Sequence, residues 1–297
     1  MPFRLRQPSA PLTPPAPRNS RGLWHYAGMG VMSLLTLMSL EQALRCWRAW
    51  KAAESPPFEP YQRRTTDLRR RVLVVGDSTG VGVGAAEATD SVAGLLAAEY
   101  GDAELVNLSV SGSCIVDVPR QLEQLTGDAA PFDLVLLHIG GNDIMRIPKL
   151  ATLEPLAELL LAGLLKVGRR VVWLGPGDVG VAPLFRPPFS WWLSRRTRQA
   201  CDMFHRVAAR HGVEYVGFHG EPHRELFAQD PERFFSNDGI HPSSHAYRYA
   251  FGWLLRSSAL AQALADAAEA RADAKAEAAA AAHTIAEPAQ RPSGAAR

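Results

Sequence analysis

Residues 71–257 alternate between short apolar runs and segments with helical spacing, and that alternation leaves few folds open. The runs are Val72–Val75, Glu104–Leu108, Leu134–Ile139, Arg170–Leu174 and Val213–Phe218. Between them lie stretches such as Ser91–Tyr100, Leu153–Lys166 and Arg195–His211, whose apolar residues recur at helical spacing. Strands separated by helices build βαβ units and a mostly parallel sheet covered on both faces. The expectation is one α/β domain of five strands, and residues 71–257 are long enough to bury its core.

In such sheets ligands collect beyond the carboxyl ends of the strands. The residues just past each strand are therefore the candidates for chemistry. Strand one is followed by Gly76-Asp77-Ser78-Thr79-Gly80, strand two by Ser109-Val110-Ser111-Gly112 and strand three by Gly140-Gly141-Asn142-Asp143. Strand five is followed by Asn237-Asp238-Gly239-Ile240-His241-Pro242. A serine hydroxyl attacks only when a neighbouring base takes its proton. His241 suits that task, and Asp238, three residues earlier, suits the task of fixing its tautomer. The backbone amides of Ser78 and Gly112 and the Asn142 side chain are candidate donors to an oxyanion. Gly112 lets backbone approach substrate closely because it carries no side chain.

Each piece alone has an ordinary alternative. Ser78 fits a turn or helix cap, Asn142 and Asp143 fit a cap, and Asp238-Gly239 fits a turn followed by a solvated histidine. Their order and common placement favour a shared site. The set VLVVGDSTG at Val72–Gly80, Gly112 in NLSVSGS, GGND at Gly140–Asp143 and DGIHP at Asp238–Pro242 resembles the SGNH hydrolases, also called the GDSL esterase/lipase group. The resemblance spans Val72 to about Leu255. It implies a three-layer α/β/α, flavodoxin-like fold with a five-stranded parallel sheet, and metal-free, cofactor-free serine hydrolysis of esters. It assigns Ser78, Asp238 and His241 to the triad, and Ser78, Gly112 and Asn142 to the oxyanion hole. The expected substrate is a small-molecule, lipid or carbohydrate carboxylic ester, cleaved through an acyl-enzyme. Transfer of the acyl group to a sugar hydroxyl, and a non-catalytic membrane-anchored binding module, are the alternatives. Thr79 stands where the family usually has leucine, which weakens transfer of substrate preference from the lipase members.

Competing motifs fit less well. Gly80–Ala85 matches the dinucleotide fingerprint GxGxxA, but strand two ends in Asn107-Leu108-Ser109 with no acid for a ribose hydroxyl. Gly76–Gly80 matches the GxSxG elbow, a fold that needs several strands ahead of its nucleophile. The pairs His241/His245 and His219/His223 have zinc-clamping spacing without a convincing third ligand. His138, inside apolar strand three, reads as a packed, hydrogen-bonded histidine. After strand four, Ala182–Trp192 is rich in proline and aromatics, and Phe185, Trp191 and Trp192 are candidates for an apolar substrate wall or a lip touching a bilayer.

The ends differ from the middle. Residues 1–22 combine prolines and arginines and read as a disordered tail. Leu23–Leu40 holds no Asp, Glu, Lys or Arg, so residues 23–44 are expected to form a transmembrane anchor. Arginines on both flanks lean only weakly towards a catalytic domain outside the cytoplasm. Residues 45–70 read as a linker, and 258–297 as an alanine-rich solvated helix and disordered tail without chemistry. With 32 basic against 30 acidic side chains, a net charge of +2, the chain lacks the concentrated basic excess of a nucleic-acid binder. Three cysteines without a CxxC pair exclude a disulfide scaffold.

Overall fold

The computed structural model describes residues 20–52, 59–125, 130–146 and 148–286. Most of the expected tail at 1–22 and the end of the one at 258–297 lie outside them. The chain forms two compact units, residues 1–47 and 48–297.

In chain order the elements are α1 (Ser20–Ala52), β1 (Arg70–Gly76), α2 (Ser78–Val81), α3 (Val92–Glu99) and β2 (Ala103–Asn107). Next come α4 (Val118–Leu122), β3 (Phe132–His138), α5 (Gly141–Met145), α6 (Leu150–Val167), β4 (Gly168–Gly177) and α7 (Phe189–Arg210). The last are β5 (Glu214–Phe218), α8 (His223–Gln229), α9 (Pro231–Phe234), α10 (Ser244–Ser257) and α11 (Leu260–Ala286). The five strands lie in the order β2-β1-β3-β4-β5, and every pair is parallel. The order reverses at β1, between β2 and β3, so a crevice opens beyond the end of β1.

Side chains alternate across the pleat, and both faces are dry. Val72, Val74, Leu134, Leu136 and Val172 join one core cluster with residues of α3, α10 and α11. The opposite face is covered by α4, α6 and α7. Trp173 is fully buried, with its ring 4.8 Å from Phe204 of α7. The result is the expected three-layer α/β/α sandwich.

Three expectations about the flanks need correction. The 23–44 stretch is one part of the 33-residue helix α1, which continues past Glu41, Arg45 and Arg48. Among the described residues no helix is long and apolar enough to cross a membrane. Gly30, Ser33, Thr36 and Ser39 dilute the aliphatic surface, and charge enters at Glu41. The 45–70 segment is also more than a linker. Arg63 bridges to Leu105 beside the edge strand β2, and its guanidinium bonds the carbonyls of Ala97, Tyr100 and Ala103. This covers a strand edge that would otherwise present unpaired backbone groups. Finally, the start of α11 is core rather than solvated: Leu260 and Leu264 are fully buried, and Arg271 pairs with buried Asp133 on β3.

Candidate active site

The turn after β1 is built around a glycine that nothing else can replace. Gly76 has φ +147°, and a Cβ there would sit 1.8 Å from the His138 carbonyl oxygen. The buried Gln121 side chain of α4 clamps the same residue, accepting from Gly76 N at 2.9 Å and donating to Gly76 O at 2.7 Å. Asp77 then caps α2, accepting from Thr79 N at 2.9 Å and Thr79 Oγ1 at 2.7 Å. Thr79, the departure from the usual leucine, thus supplies a hydroxyl partner to a buried carboxyl that burial pushes up. Ser78 opens α2 and is 8% exposed, enough for its hydroxyl to line a cavity.

The loop after α9 presents His241. Phe235 and Pro242 form an antiparallel bridge, and Ser236 N donates to His241 O at 2.8 Å, closing the segment. Inside it, Asp238 Oδ1 accepts from Ser236 Oγ at 2.8 Å and from Ile240 N and His241 N, both at 2.9 Å. The other oxygen, Oδ2, lies 2.6 Å from His241 Nδ1. Burial opposes the Asp238 charge, but the hydrogen bond and charge of His241, with the Ile240 and His241 amides, outweigh it. The carboxyl is held well below the usual range. His241 Nε2 in turn lies 2.9 Å from Ser78 Oγ. Gly84 makes room for this loop: with φ +93°, a Cβ there would fall 2.4 Å from Pro242 O and 2.9 Å from His241 Cβ.

The third wall comes from α5. Asn142 Nδ2 donates to Ser113 O at 3.0 Å, and the Asp143 carboxylate accepts from Ile115 N at 3.2 Å. Arg146 donates to Gly112 O at 2.8 Å. One turn of helix therefore holds the loop after β2, in which Gly112 has φ +81°. Asp143 is buried, which pushes its pKa up to about 6. Ser78, Asn142 and His241 line one cavity of about 160 Å³, which Gly112 does not line.

A family model described as GDSL-like Lipase/Acylhydrolase family matches residues 74–249. The chain belongs to the GDSL-like lipase/acylhydrolase family, and is thus a serine hydrolase acting on ester bonds. A lipolytic G-D-S-L family protein from Veillonella parvula DSM 2008 has a similar fold: TM-score 0.52, 17% identity, 63% of this chain and 96% of that one covered. TesA aligns at 23% identity over 63% of this chain and 97% of its own, with TM-score 0.48. An extracellular lipase from Streptomyces rimosus aligns at 18% identity over 64% and 100%, with TM-score 0.49. No curated protein sequence matches the chain.

Within this GDSL hydrolase the aromatic loop is placed differently from expectation. Phe185 is buried with its ring 5.7 Å from Phe189, Trp191 is 69% exposed, and none of Phe185, Trp191 or Trp192 lines the cavity. Ser190, Leu193, Ser194 and Thr197 form the buried face of α7, so Trp191 and Trp192 turn outward. What the loop does touch is the His241 segment, through Leu184 N to Gly239 O at 2.9 Å.

His138 is buried as expected and lines the cavity, but its Nε2 has no hydrogen-bond partner among the described residues. Burial pushes its pKa down to about 4, so it stands neutral. Of the zinc-spaced pairs, His241 faces Ser78 and His223 Nδ1 lies 2.6 Å from the Tyr249 hydroxyl. Among the described residues no cluster of three or more His, Cys, Asp or Glu is placed to hold a metal ion. Sequence reasoning missed Gln121 and Asn107, whose Nδ2 donates to Gly80 O at 2.9 Å. A lone amide in a short helix or at a strand end carries no pattern that could have found them.

Proposed function

We propose that the protein cleaves a carboxylic ester, of a lipid, a carbohydrate or another small molecule, through an acyl-enzyme on Ser78. The observation that carries the reading is the chain of two contacts, Ser78 Oγ to His241 Nε2 at 2.9 Å and His241 Nδ1 to Asp238 Oδ2 at 2.6 Å. With Nδ1–H donating to Asp238, Nε2 is left as an acceptor for the serine proton. Oγ attacks the ester carbonyl while its proton passes to Nε2, and the carbonyl π pair moves onto oxygen. That oxyanion needs fixed donors, and the Ser78 and Gly112 amides with the Asn142 side chain are the proposed set. The imidazolium then protonates the departing alkoxide as the tetrahedral intermediate collapses. Water, deprotonated by His241, attacks the acyl-serine and releases acid and enzyme.

The test is steady-state hydrolysis of p-nitrophenyl acetate by the full chain and by Ser78→Ala and His241→Ala. Each variant is expected to lose ~10⁴-fold or more in kcat while remaining folded. Activity within tenfold of the parent in either variant refutes the assignment.

Association with a membrane surface through α1 is a separate proposal. Its support is the exposed Met29, Met32, Leu34, Leu37 and Leu40 on one helix. Pelleting of the full chain with phosphatidylcholine vesicles, lost when residues 1–47 are removed, is the expected result; pelleting unchanged by that removal refutes it.

A further inference from the structure

We propose that the apolar cavity beside Ser78 is an acyl pocket that favours chains of about six carbons, a claim resting on the esterase reading above. The cavity touches both Ser78 and His241 and runs from Asn142 and Met145 towards α8. Leu174 of β4 and Phe218 at the end of β5 line it together with Phe227, Phe235, Ile240 and Ala250.

The charged groups along its wall are already matched within the protein. Asp77 holds Thr79, and Arg224 pairs with buried Asp178 at 2.9 Å and with Glu221 at 3.3 Å. His223, its pKa lowered by burial, shares a hydrogen bond with the Tyr249 hydroxyl. Apart from Nε2 of neutral His138, unpartnered among the described residues, a guest entering from Ser78 therefore meets hydrocarbon and matched polar groups, which suits an alkyl chain rather than a charged group. Gly112 and Arg146, on the loop after β2 and just after α5, do not line the cavity, and Arg146 is exposed. That leaves the solvent side for the alcohol, so selectivity is expected in the acyl half of the ester.

Size sets the length. An apolar cavity of ~150 Å³ takes a benzene-sized guest, roughly six carbons, and the cavity here measures about 160 Å³. Each methylene that enters is worth ~4-fold in kcat/KM until the space is filled. Phe227 of α8, a lining residue whose ring stacks 4.5 Å from Phe234, is assigned to set that limit.

The experiment is a series of p-nitrophenyl esters from acetyl to dodecanoyl, run on the full chain, on Phe227→Ala and on Ala250→Leu. For the parent, kcat/KM rises ~4-fold per methylene to a maximum near hexanoyl and then falls. Phe227→Ala moves the maximum to longer acyl groups and Ala250→Leu to shorter ones. The position of the maximum does not depend on the fraction of protein folded, so a partly destabilised variant still reports. A flat profile, or a maximum that neither variant moves, overturns the acyl pocket while Ser78-dependent acetyl hydrolysis still upholds the esterase. Absence of Ser78-dependent hydrolysis across the whole series overturns the esterase reading, and the pocket with it.

Discussion

Replacing Asp238 by asparagine changes one atom's chemistry and leaves the shape intact, and the surrounding donors dictate the consequence. Oδ1 is fixed by three donors, Ser236 Oγ, Ile240 N and His241 N, whereas among the described residues Oδ2 meets only His241 Nδ1. The asparagine amide will keep its oxygen towards the three donors, since the flipped amide would set an NH₂ against two backbone N–H groups at ~1–3 kcal/mol each. The NH₂ then faces His241 Nδ1, which must accept. The ring proton moves to Nε2, the atom 2.9 Å from Ser78 Oγ, so the base arrives already protonated. The same change in a serine-protease triad costs ~10⁴ in kcat, about 5 kcal/mol of transition-state stabilisation. A loss of that order is expected in kcat/KM for p-nitrophenyl acetate. Because three of the four bonds survive, the urea midpoint should move little. The ring ¹⁵N shifts of His241 should report a switch from the Nδ1–H to the Nε2–H tautomer. Activity within tenfold of the parent, with the tautomer unchanged, would refute the orienting role of Asp238.

Three further outcomes follow from the packing. Gln121→Leu strands Gly76 N–H, leaves Gly76 O with Val110 N alone at 3.1 Å, and removes a 3.1 Å bond to Ser113 Oγ; about 1–3 kcal/mol of stability should be lost in urea melts, with kcat falling more than KM rises. Asp143, with its pKa raised from 3.8 to about 6, binds its proton more tightly folded than unfolded, so its contribution to stability is full below the unfolded pKa and is lost as pH climbs to 6; it amounts to ~2–3 kcal/mol by linkage. Asp143→Asn should flatten that part of the stability–pH curve, and an unchanged slope between pH 4 and 6 would contradict the burial effect. Leu264→Ala should cost about 2–5 kcal/mol, because the side chain is fully buried in the sheet core, and a loss below ~0.5 kcal/mol would place α11 outside that core.

Much of the sheet, and the meeting of Ser78, His241 and Asp238, was legible because both are written locally. A strand announces itself by composition and length, and Asp238-Gly239-Ile240-His241 carries its own turn chemistry. Strand ends in a parallel sheet then bring distant loops together without further information. What stayed hidden depends on contacts between segments far apart in sequence. Gln121 reaches Gly76 across 45 positions and Arg63 reaches Ala103 across 40, and neither pairing leaves a periodic trace. The alanine-rich composition of α11 concealed two core leucines, since helix propensity says nothing of what a face will meet. The wall reading of Trp191 and Trp192 failed for a related reason: their loop lies at the expected end of the sheet, but the phase of α7 turns both outward, away from the cavity. The cavity is walled by Leu174, Phe218 and Phe227, from three separate elements that only the tertiary fold assembles.

The most direct trial of the nucleophile is covalent trapping. The full chain is treated with a fluorophosphonate, digested, and the modified peptide located by mass spectrometry. A single adduct on Ser78, formed in step with loss of ester hydrolysis and absent from Ser78→Ala and much slowed in His241→Ala, is the expected result. An adduct on another residue, or full inhibition of Ser78→Ala hydrolysis by the same reagent, would contradict the account.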